Sequence, residues 1–115
     1  MHIHGHDFYV LGAVANSTFA EADIDLLNFT NPPRRDVAFL PTYGWLVVAF
    51  ITDNPGAWLM HCHIAFHVGQ GLAVQFLERE SEISSVMSLD YIPGNCSVWD
   101  DWYANTNYKE YDSGL

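Results

Sequence analysis

Seven residues able to ligate a metal fall in two short stretches, His2-Ile3-His4-Gly5-His6 and His61-Cys62-His63-Ile64-Ala65-Phe66-His67. In an extended chain residues i and i+2 share a face, so His2 points with His4, and His61 with His63, while Cys62 points the other way. One strand would then present two imidazoles to one site and a thiolate to another. His67 follows Cys62 across a turn that can fold it back beside the sulfur. A single thiolate with imidazole, and no second cysteine at C-x₂₋₄-C spacing, suits a type 1 blue copper centre better than structural zinc. Clustered imidazoles without a carboxylate among them suit copper at the other site. His6 reads more simply, as a surface or hydrogen-bonded core histidine.

The elements that must carry these residues are mostly strands. The first segment, His2 to Leu11, ends in a strand over Asp7 to Leu11 closed by a turn at Gly12, and Asn31 to Asp36 reads as a rigid polar loop. Val37 to Leu40 is a short strand ended by Pro41. Trp45 to Ile51 is a continuous apolar strand, and Ala57 to Cys62 another after the Asp53-Asn54-Pro55-Gly56 turn. A helical or looped piece over 64–71 leads to a last strand, Leu72 to Leu77. Residues 1–78 thus form an all-β unit. Residues 79–115 form an extension, with helices expected over Glu82 to Leu89 and Ser97 to Ala104, the second capped by Ser97. Four or five strands are too few to close a barrel, so the chain is expected to be the C-terminal piece of a larger protein and inactive by itself.

Composition narrows the function. The 115 residues hold fourteen acids and four bases, a net charge of −10, which disfavours nucleic acid and anionic membranes as partners. The longest apolar run, Trp45 to Ile51, is too short to span a bilayer. No signal peptide is visible after Met1. Three N-x-[ST] sequons, at Asn16, Asn28 and Asn95, point to a secreted, extracellular glycoprotein. Two cysteines are too few for a disulfide-stapled fold.

The two histidine stretches resemble signature motifs of the multicopper oxidases. The first is similar to the end of H-P-x-H-x-H-G-H, whose leading His-Pro would precede Met1. The second, through Gly71-Leu72, resembles H-C-H-x-x-x-H-x-x-x-[GA]-[LMF]. Asn31-Pro32-Pro33-Arg34-Arg35-Asp36 and the terminal Asp112-Ser113-Gly114-Leu115 are similar to ascomycete laccases in particular. The resemblance implies a fold, the C-terminal part of a Greek-key cupredoxin β-barrel, the third such domain of the enzyme, followed by a short helical or extended tail. It implies Cys62 and His67 as type 1 copper ligands with Leu72 as the axial neighbour, His2 as a type 2 ligand, and His4, His61 and His63 as type 3 ligands. The remaining ligands would come from the missing upstream cupredoxin domains, so this chain completes neither centre. Cys62, His61 and His63 would form the catalytic electron path, on the order of 10 Å through bonded backbone.

Implied partners are dioxygen, reduced to water, and phenols or aromatic amines, oxidised one electron at a time. Another multicopper oxidase, acting on ascorbate or a metal ion, and a non-catalytic copper-binding electron-transfer module are the rival readings. The same resemblance implies a disulfide from Cys96 to the missing first domain. It also implies that Asp112, Ser113, Gly114 and Leu115 plug a channel towards the coppers, with Tyr103, Tyr108 and Tyr111 holding the tail on the body.

Overall fold

The structure, a computed structural model, describes residues 1–108, so the expected plug Asp112 to Leu115, and Tyr111, lie outside the described residues. The strands are β1 (His2–Ile3), β2 (Phe8–Val14), β3 (Arg34–Arg35), β4 (Trp45–Ala49), β5 (Gly56–His61) and β6 (Ala73–Glu78). A 3₁₀ helix (Glu21–Leu26) follows β2, and α1 (Ala65–Val68) joins β5 to β6. After β6 come α2 (Glu80–Val86) and α3 (Ile92–Asn105). The strands form two antiparallel three-stranded sheets, ordered β1-β5-β6 and β3-β2-β4. The all-β unit with a helical tail is therefore what the chain builds.

Several local expectations are corrected. The first segment adds a short strand, β1, ahead of the expected one, and the two lie in different sheets because Gly5 takes the left-handed conformation (φ 72°) and turns the chain between them. β2 does not stop at Gly12. It runs on to Val14 past an irregularity in register between Val10 and Gly12. The short strand expected at Val37 to Leu40 lies instead at Arg34–Arg35, pairing with Phe8 and Tyr9, while Val37 makes only a bridge to His2. β4 ends at Ala49, and of its residues only Trp45 is buried. Ser97 caps nothing. α3 begins at Ile92 behind Tyr91, with Pro93 in the first turn, where its missing N–H costs no helical bond.

The buried apolar side chains among the described residues are Ile3, Phe8, Trp45 and Ile83. The accessible surface is 8515 Å² for 13.0 kDa, against about 6,300 Å² for a compact monomer of that mass. Much of the excess is apolar: Phe39, Val74, Leu77, Val98 and Trp99 are all more than half exposed. At the junction of β6 with α2, Arg79 takes a left-handed backbone (φ 45°) and its guanidinium pairs with Glu82. That side-chain hydrogen bond holds the Glu82 carboxyl below its ordinary range.

Gly44 shows how tightly the turn into β4 meets the end of β2. A Cβ there would lie 1.9 Å from the Val14 carbonyl oxygen and 2.8 Å from the Ala15 Cα, both backbone atoms that cannot swing aside. Gly44→Ala is expected to cost about 1–3 kcal/mol through the forced displacement of the strand. Thermal unfolding of the full-length protein checks this, and an unchanged Tm would mean that the turn relaxes freely.

Candidate metal centre

Pairing of β1 with β5 sets His2 opposite His61 and Ile3 opposite Met60. The His4 N–H extends the ladder by donating to the Leu59 carbonyl at 2.8 Å. Alternation then carries the imidazoles to one side. The His2 ring centroid lies 5.4 Å from His4 and 5.8 Å from both His61 and His63; His4 lies 5.2 Å from His61, and His61 5.4 Å from His63. All four expected histidines of this cluster are brought together.

Backbone carbonyls orient two of these rings. His2 Nδ1–H donates to the Asp36 carbonyl at 2.6 Å, and His61 Nδ1–H donates to the Cys62 carbonyl at 3.0 Å. A ring whose Nδ1 holds its hydrogen against a carbonyl has its Nε2 lone pair free for a metal. The Nε2 of His61 does face inward, 3.2 Å from His4 Nε2. The donor set and its orientation therefore fit copper. Among the described residues no three ligand groups converge into a coordination sphere.

On the opposite side of β5, Cys62 Sγ lies 3.5 Å from His67 Nδ1. α1 makes this approach possible: the His67 N–H donates to the Ile64 carbonyl at 2.9 Å, starting a turn that reverses the chain over Cys62. Leu72 closes it, donating its N–H to the His67 carbonyl at 3.0 Å and accepting the Cys62 N–H at 3.1 Å. Cys62, His67 and Leu72 line a cavity of 490 Å³ whose other walls include Val37, Leu40 and Pro41. The wall beside the sulfur and the imidazole is mainly apolar, and it is open, since Val37, Leu40 and Leu72 are each more than two-fifths exposed.

The remaining expected sites are dispersed. Asn16, Asn28 and Asn95 are all exposed, as glycosylation requires. Cys96 is an exposed free thiol on α3, with no partner cysteine near it in this chain. Three positions that hold the site in place carry no signal in the sequence. Asp36 acts through its carbonyl, Asn54 through its backbone and amide, and Glu78 ends an apolar strand with a buried carboxylate.

A family model described as multicopper oxidase matches residues 1–82. Laccase-1 of Melanocarpus albomyces is 46% identical over the whole chain, and Laccase-1 of Botryotinia fuckeliana is also 46% identical over the whole chain. The chain spans about a fifth of the length of these curated relatives (20% of each). The crystal structure of laccase from Botrytis aclada is similar over 99% of this chain and 21% of that one, with 42% identity and a TM-score of 0.77.

Gly5 between His4 and His6 is the tightest point of the site. A Cβ there would lie 2.6 Å from the Trp58 ring, on a backbone at φ 72° that side chains rarely adopt. Gly5→Ala is expected to destabilise the protein by about 1–3 kcal/mol and to move both flanking histidines. Thermal unfolding reads the first effect, and histidine ring NMR shifts read the second; an unchanged spectrum would mean that Trp58 yields instead.

Proposed function

The chain belongs to the multicopper oxidase family, and on that premise we propose that it carries one part of each copper centre of a laccase-type oxidase. One observation carries the reading. The paired ends of β1 and β5 offer four imidazoles, two from each stretch, on one face, and Cys62 after β5 offers a sulfur with its own imidazole on the other. A structural zinc site has no use for two separate donor sets back to back. An electron carrier with one copper has no use for the second set.

In this reading Cys62 and His67 would hold the type 1 copper, His67 through Nδ1, with Leu72 beside them as a non-ligating neighbour. His2 holds the type 2 copper, and His4, His61 and His63 hold the type 3 pair. Copper, when bound, supplies one-electron oxidation of phenols or aromatic amines and the four-electron reduction of dioxygen to water. The protein's part is spacing and orientation. His61 and His63 are the direct chain neighbours of Cys62, and the Cys62 carbonyl also accepts from the His61 ring, so bonded and hydrogen-bonded routes run in parallel between the two faces.

The fold is part of a cupredoxin β-fold, and the upstream cupredoxin domains of such an enzyme would supply the other ligands and cover the exposed apolar faces. Exposed sequons at Asn16, Asn28 and Asn95 support an extracellular protein. Among the described residues no helix is long and apolar enough to cross a membrane. A disulfide from Cys96 to an upstream domain would tie α3 to the rest of the enzyme.

The full-length protein loaded with copper is expected to consume oxygen with a phenol faster than with ascorbate or ferrous iron. Cys62→Ser is expected to abolish both the blue absorption and phenol turnover. Turnover surviving in that variant, or a preference for ascorbate or iron, would remove the laccase assignment.

Leu72 adds a quantitative test, because its side chain lines the Cys62 and His67 cavity without a donor atom. A methionine thioether there would bind weakly and stabilise the oxidised copper. Leu72→Met is expected to lower the type 1 reduction potential. Redox titration of the two proteins decides it, and an equal or higher potential in the variant defeats the role proposed for Leu72.

A further inference from the structure

His6 is the one histidine that the copper reading leaves without a task, and its side chain is enclosed. Its side chain is 3% exposed and Nε2 lies 2.9 Å from Oε2 of Glu78, itself 4% exposed. Phe50 and Trp58 flank the ring at 5.2 and 5.8 Å. Glu78 is the buried charged residue of the described chain. Burying a carboxylate against an imidazole is costly unless the geometry is used.

The geometry is used on the His4 side. His6 Nδ1–H donates to the His4 carbonyl at 3.0 Å. Nε2 is left facing Glu78 Oε2 at ion-pair distance, with no hydrogen bond to either atom among the described residues. The other carboxylate oxygen accepts the Asn54 N–H at 2.6 Å. Asn54 then donates its side-chain amide to the Gly5 carbonyl at 3.0 Å and accepts the Trp58 indole N–H at 2.7 Å through its own carbonyl. Two successive carbonyls, those of His4 and Gly5, are thus held by a network anchored on a single buried carboxylate.

We propose that His6 and Glu78 form a positioning pair that fixes the backbone at His4 and so aims the His4 imidazole at the four-histidine face. The inference rests on the copper reading above. His6 ligates nothing in it; the pair acts through the His4 carbonyl. Loss of an outer-shell partner of this kind weakens metal binding by about 10–100-fold.

Two substitutions separate positioning from packing. In His6→Asn the amide nitrogen takes the place of Nδ1 and can still donate to the His4 carbonyl. In His6→Gln it takes the place of Nε2, meets Glu78, and leaves that carbonyl without its donor. In the full-length copper-loaded protein, His6→Gln is expected to lose copper from the imidazole cluster to a chelator about tenfold more readily, with the type 1 blue absorption per molecule unchanged. His6→Asn is expected to recover most of that loss. Equal behaviour of the two variants, a blue absorption falling in step with the cluster copper, or no change in retention would overturn the pair's role. If neither variant accumulates as folded protein, Glu78→Gln decides, since its amide oxygen still accepts from Asn54. Several-fold weaker retention of cluster copper is then expected, and wild-type retention overturns the proposal. A wild-type protein that takes up no copper overturns the copper reading first, and this inference with it.

Discussion

Pairing of β1 with β5 brings His4 and His61, 57 residues apart, to within 3.2 Å, and every other feature of the site depends on the register of that pairing. A slip of one residue would send His2 and His4 to the wrong face, because side chains alternate along a strand. Ile3 resists the slip. It sits between the two histidines, points the opposite way and is only 1% exposed. Its burial contributes about 1.5–3 kcal/mol, all of which would be lost if it traded faces with its neighbours. The apolar residue between two ligands is therefore what holds the ligands in place.

Register alone leaves the rings free to rotate, and here the backbone acts a second time. The Asp36 carbonyl comes from the loop that also meets β1, where Val37 bridges His2 and the Ala38 carbonyl accepts from the Met1 amino group. One crossing therefore fixes the strand and turns the His2 ring. The Glu78 network does the same at the far end of the stretch, where Gly5 must bend the chain from one sheet into the other. Between them the short β1 is gripped at both ends, which offsets having only two paired residues of its own.

The parts of this arrangement legible in the sequence are those with a period. His-x-His alternation announces a shared face, and the apolar runs at Trp45 and Ala57 announce strands, because side-chain direction is a local property. The Arg34–Arg35 strand is not legible, since two arginines after Pro32-Pro33 carry no strand propensity and pair only because Phe8 and Tyr9 lie beside them. β2 passing through Gly12 is missed for a related reason. A Cβ there would come within 3.1 Å of the Trp45 ring, so this glycine makes room for an indole and does not end a strand. The start of α3 is misjudged because Pro93 in the first turn is an allowed helix opener, while Ser97 only resembles a cap. Glu78 illustrates the deeper limit. Its partner His6 is 72 positions away by number, and no local pattern announces a contact that only the fold creates.

Cys62 is where the two faces meet, and all three of its polar groups are engaged in different directions. Its N–H donates to Leu72, its carbonyl accepts from the His61 ring, and its sulfur faces His67. The first and third secure the apolar cavity; the second orients an imidazole on the opposite face. A displacement of the Cys62 backbone must therefore disturb both donor sets together. The two sites are spaced by the chain and are also mechanically joined through one residue. Rigid hydrogen bonding at Cys62 serves the proposed electron path for the same reason, because a path through bonds works only if the bonds keep their geometry.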